Sequence, residues 1–170
     1  MKSFSEVVSA PGRLTLGETP EGFDALVLAD MARGVRADGV IAVHVARDDA
    51  RMASVSEALS FFSPDLEIVV LPAWDCLPYD RVSPNTDISA RRMAALSRLA
   101  ALGDTSPGKP FLLLTTVNAV LQRVPPRETV GSLAWSARVG NRIDLDKLTA
   151  YLASNGYNRT GTVREPGEFA

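Results

Sequence analysis

A chain of 170 residues, 46% hydrophobic and 22% charged with net charge −2, has the composition of a soluble globular protein: one ordinary domain, or one plus part of another. The mixed charge excludes the profile of a disordered chain and argues against a general nucleic-acid binder, which needs clustered Lys and Arg. One cysteine, Cys76, and one histidine, His44, exclude an intramolecular disulfide and a zinc site made of these two alone.

The start, MKSFSEVVSAPGR, lacks the apolar run of a signal peptide. No window approaches roughly 18 apolar residues free of charges, so no membrane span and a cytoplasmic location are expected. Leu14-Thr15-Leu16 reads as a short strand. The stretch Gly17-Glu18-Thr19-Pro20-Glu21-Gly22-Phe23-Asp24 follows, with the glycine spacing of a phosphate-binding loop, G-x-x-x-x-G-K-[ST]. Phe23 stands where the lysine belongs and Asp24 where the Mg²⁺-binding hydroxyl belongs. Phe23 supplies no charge, and Asp24 repels phosphate. Two glycines at this spacing also arise by chance.

Phe23 to Arg33 is apolar almost all round and predicts a buried helix. Val40–Val45, Leu66–Leu71 and Phe111–Thr116 are apolar runs rich in branched residues, as in a parallel sheet covered on both faces. A helix from Asp48-Asp49 to Phe62 stops before Ser63-Pro64. A third helix, capped by Asp87, continues to Leu102 and ends at Gly103. Ile88, Ala95, Leu96, Leu99 and Leu102 form its apolar face, with Arg91, Arg92 and Arg98 directed to solvent or partners. Ser106 to Pro110 forms the turn into the third strand. The alternation of strands and helices implies an α/β fold, a parallel sheet flanked by helices.

Val124-Pro125-Pro126-Arg127 marks a boundary, giving domains 1–124 and 125–170. Beyond it, Thr129–Val139 reads as extended, Asp144–Asn155 as a short helix ended by Gly156, and Tyr157–Val163 as a strand. Arg164 to Gly167 reads as a turn. This second, partial α+β unit has too little material for its own core, so we read the chain as a piece of a longer protein.

No catalytic machinery stands out. His44 lies in an apolar strand and reads as a core residue. Cys76 reads as packing, and Asp75 and Asp80 read as turn formers or ion-pair partners. The loop from Leu71 to Asp87 is the most distinctive stretch, restrained by three prolines and anchored by Trp74 and Tyr79.

That loop, LPAWDCLPYDRVSPNTDISARRMAAL, resembles the N-terminal region of bacterial transcription-repair coupling factors (Mfd). Trp74, Leu77, Pro78, Tyr79, Asp80, Ser83, Pro84, Asp87, Ile88 and Arg92 carry the resemblance. Thr116 to Pro125 and Gly156 to Ala170 extend it over essentially the whole chain.

The resemblance implies a module similar to the excision-repair protein UvrB: a helicase-like first domain, here with a degenerate nucleotide site (Gly17, Gly22, Phe23, Asp24), and the start of a UvrA-binding second domain. Only about 15 residues separate the second strand from the helix at Asp87, too few for the DNA-clamping hairpin of UvrB. For UvrA contact it points first to Arg159, in a Tyr157-Asn158-Arg159 segment similar to one in UvrB, and second to Arg164. It implies no cofactor for this part of the protein, and ATP and Mg²⁺ for the motor of the full-length parent. The parent would engage RNA polymerase and DNA through other domains, and hold this module against its own C-terminal domain. The alternative reading is an active P-loop NTPase or helicase domain.

Overall fold

Three parallel strands carry the architecture. The computed structural model describes residues 12–35, 40–77, 81–102, 108–135, 137 and 139–170. In chain order the elements are α1 (Phe23–Val35), β1 (Ala42–Ala46), α2 (Asp49–Phe62), β2 (Glu67–Leu71), α3 (Thr86–Leu102), β3 (Phe111–Thr116), α4 (Val117–Val120), α5 (Arg127–Leu133), α6 (Leu145–Ser154), β4 (Asn158–Arg159) and β5 (Glu168–Phe169). The contacts divide the chain into two compact units, Met1–Ala73 with Ala101–Arg123, and Trp74–Ala100 with Val124–Ala170.

The first unit holds the expected α/β sheet, in the order β1-β3-β2. β3 pairs parallel with both neighbours, Ala42 to Ala46 opposite Leu112 to Thr116 on one side and Glu67 to Leu71 opposite Phe111 to Thr115 on the other. Period-two alternation decides what each strand contributes. Ala42 and Ala46 of β1, Ile68 and Val70 of β2, and Leu112 and Leu114 of β3 meet the core. α1 delivers Ala25, Leu28, Ala29 and Ala32 to it, at the spacing of one helical face. Its alanines allow close approach of the helix. α2 delivers Met52, Val55 and Leu59. A buried leucine in such a cluster contributes about 2 kcal/mol through area removed from water.

Strand and helix limits follow local chemistry. The Asp48 side chain accepts the Arg51 N–H at 2.8 Å and caps α2. The Ser63 N–H donates to the Leu59 carbonyl at 2.8 Å, and Pro64 prevents continuation. The Thr116 hydroxyl accepts the Ala119 N–H at 3.3 Å and turns β3 into α4. Thr115, buried in β3, donates its hydroxyl to the Leu71 carbonyl at 3.0 Å.

Several expectations need correction. Leu14-Thr15-Leu16 is irregular and exposed rather than a strand. Val43 and Val45 are exposed, so the sheet is not covered on both faces at β1, an edge among the described strands. Asp87 does not cap α3: the Asn85 side chain accepts the Asp87 N–H at 2.8 Å, and Asp87 pairs with Arg91 at 2.9 Å one turn on. The segment 129–139 is not extended throughout, since Arg127–Leu133 is helical, entered through Pro126 with Glu128 in its first turn. Its branched Thr129 and Val130 favour strand only weakly against those start signals. The expected end of α3 at Gly103 and the start of the 106–110 turn lie outside the described residues.

In the second unit α6 matches its expectation. The Asp144 side chain accepts the Lys147 N–H at 3.2 Å, and Gly156, at φ +82°, ends the helix in the left-handed region. The expected strand Tyr157–Val163 shrinks to Asn158–Arg159, paired parallel with Glu168–Phe169. None of the described residues from 127 to 170 is fully buried.

Candidate functional site

The glycine loop turns the chain directly into α1. Gly22 sits at φ +83°, where a side chain would be strained, and Glu18 takes the left-handed region at φ +54°. The Phe23 N–H donates to the Pro20 carbonyl at 3.1 Å, and the Ala25 N–H to the Gly22 carbonyl at 3.2 Å. Phe23 projects outward, exposed. Gly17 needs no special conformation.

Asp24 is engaged on both oxygens. One accepts the Ala25 N–H at 3.0 Å; the other receives Arg51 Nη2 at 2.6 Å. Arg51 Nη1 also lies 3.8 Å from the Glu21 carboxylate. Arg51 comes from the first turn of α2, 27 residues away, so the pair joins the N-termini of the two helices. A second arginine–aspartate pair joins their C-terminal ends. Arg33 donates to both carboxylate oxygens of Asp65, at 2.8 and 3.2 Å, and to the Ser63 hydroxyl at 3.1 Å.

His44 lies near the Asp24–Arg51 pair. Burial pushes its imidazole below the ordinary range, Asp24 pulls it back up, and Arg51 pushes it down again. The result is a neutral imidazole at neutral pH.

These residues do not fit a nucleotide. A terminal phosphate would meet the carboxylates of Asp24 and Glu21, and the nearby cation, Arg51, is already held by one of them. Among the described residues no group of three or more His, Cys, Asp or Glu is placed to hold a metal ion.

The motif loop is pinned at both ends. The Trp74 ring stacks 4.5 Å from the Arg92 guanidinium. Arg92 is 1% exposed, and burial lowers its pKa. Of the two expected destinations, solvent or a partner, it does not reach solvent. Its position explains why: it lies four residues from both Ile88 and Leu96, on the apolar face of α3. Both Asp75 carboxylate oxygens accept the Asn85 N–H, each at 3.2 Å. Asp75 is thus the turn former that its setting suggested. Leu77 and Val82 are exposed on this loop, while Tyr79 and Asp80 lie outside the described residues.

Arg159 and Arg164 both lie on the surface of the second unit, one in β4 and the other in the turn before β5. The Glu168 carboxylate accepts the backbone N–H of Arg164 at 2.7 Å and of Glu165 at 3.2 Å, which holds that turn against β5. Sequence reasoning missed Arg51 and Asn85. Asn85 was visible as a cap residue two places before Asp87; the Arg51 contact is long-range and left no local signal.

No helix among the described residues is long and apolar enough to cross a membrane. No protein-family model matches the chain. Curated relatives do. The transcription-repair-coupling factor of Escherichia coli is 31% identical over 163 residues, 96% of this chain and 13% of its own length. That of Haemophilus influenzae is 27% identical over 155 residues, 91% of this chain and 13% of its own. That of Mycobacterium bovis is 34% identical over 105 residues, 61% of this chain and 8% of its own. The chain therefore belongs to the transcription-repair-coupling factor family, as a stretch that spans about 13% of the length of the first two relatives.

Proposed function

We propose that this chain is the N-terminal, UvrB-like part of a transcription-repair coupling factor and acts there as a protein-interaction module, without ATPase activity of its own. The observation that carries this is the phosphate end of α1, where Asp24 and Arg51 engage each other at 2.6 Å. A site whose cation is neutralised by its own carboxylate has little left to attract phosphate. The reading takes 1–124 as the UvrB-like first domain and 125–170 as the start of the UvrA-binding domain. UvrA is the proposed partner, with Arg159 as first contact and Arg164 as second. An exposed arginine on a short strand, with a second in the neighbouring turn, suits acidic groups of a protein surface.

In the parent, ATP and Mg²⁺ would serve a motor elsewhere in the chain, and RNA polymerase and DNA would be engaged there. The parent's C-terminal domain is a further proposed partner, and the cytoplasm the proposed location. Titrating UvrA with the full-length coupling factor and its Arg159→Ala variant tests the recruitment role. About a tenfold loss of affinity is expected, the size of one charge-assisted contact. Equal affinity of the two proteins would remove Arg159 from the interface.

A further inference from the structure

We propose that Asp24 and Arg51 form an internal clamp that replaces the ligand, so that the phosphate end of the first unit is held together by the chain itself. The inference rests on the reading of a site without nucleotide and deepens it. In a nucleotide-binding loop the bound phosphates connect the loop to the first helix, and the ligand stabilises the fold by mass action. Here no ligand is needed for a link at this end: a carboxylate in the first turn of α1 and a guanidinium in the first turn of α2 join the two helices directly. Asp24 holds the Ala25 N–H with one oxygen and Arg51 with the other, and Glu21 approaches the same guanidinium at 3.8 Å.

The clamp is more enclosed than its counterpart. The side chains of Asp24 and Arg51 are 28% and 34% exposed, against 55% and 42% for Asp65 and Arg33. Solvent and salt therefore screen it less. Arg51 is also placed by its own backbone, since its N–H is held by the Asp48 cap at 2.8 Å. Fixing the α2 terminus fixes the base of the guanidinium, so less side-chain freedom is lost in forming the pair. Arg51 is thus a positioning residue for the loop, acting through Asp24.

A double-mutant cycle on the whole chain tests this. Asp24→Asn and Arg51→Gln are each expected to lower the thermal midpoint by about 2–4 °C, and the double variant by no more than the larger single drop. Arg51→Lys, which keeps the charge and loses the planar fork, is expected to fall between wild type and Arg51→Gln. Additive drops, or a Lys variant equal to the Gln variant, would overturn the clamp. The same melts with Mg-ATP separate the two ideas. A rise in the wild-type midpoint would overturn the nucleotide-free reading, whereas additivity without such a rise would overturn the clamp alone.

Discussion

The sheet unit and the stretch 127–170 are built on different principles. The first buries leucines and alanines from two helices and three strands in one cluster. The second has no fully buried residue among those described, and its order comes from caps, turns and a two-residue parallel pairing. The same chain thus combines a scaffold with a buried core and a surface-dominated segment. Substitutions in the first act through stability; those in the second act through what the surface touches.

The largest effect separates the two regions most sharply. Leu112, 0% exposed on the central strand, is expected to cost about 3–5 kcal/mol when changed to alanine, read as a fall in the urea midpoint. A loss below about 1 kcal/mol would mean that the cluster is not the centre of the fold.

The motif loop stands between these extremes. Trp74→Leu removes the aromatic face from a buried guanidinium and is expected to cost about 1–2 kcal/mol in the same measurement. No change would show that the stacking carries no stability.

Acidification gives a smaller and signed effect. The folded pKa of His44 lies below its unfolded value, chiefly through burial. Its stabilising contribution is therefore present above the unfolded value of about 6.5 and is lost as pH falls through that value towards the folded pKa. Asp48 and Asp65 are also held below their ordinary range, by the Arg51 N–H and the Arg33 side chain respectively, and their contributions are lost at still lower pH. The midpoint is expected to fall between pH 7 and 5, and the His44→Leu variant to show a flatter profile over that window. An unchanged slope would assign the loss to other groups.

The smallest effect on stability falls at Arg159. Its replacement by alanine is expected to leave the unfolding midpoint within about 0.5 kcal/mol of wild type. A larger change would mean that this exposed side chain has a structural role.

Much of the scaffold was legible because it rests on local rules. Branched apolar runs marked the three strands to within two residues, and Asp48, Asp144 and Gly156 marked helix ends with side chains and backbone that do what their types do best. Failures arose where a tertiary fact overrode a local one. Leu14-Thr15-Leu16 has strand chemistry but pairs with no described strand. Arg92 is charged, yet helical spacing places it among apolar positions, and Trp74 offers it a face. The candidate site was half legible. Phe23 and Asp24 stood out at the lysine and hydroxyl positions of the glycine spacing, but the cation that pairs with Asp24 comes from another helix.

Calorimetric titration of the chain with Mg-ATP tests the central claim most directly. The expected result is no saturable heat up to millimolar nucleotide, because the cation at the phosphate end is already paired with Asp24. Saturable binding in the micromolar range would contradict the account.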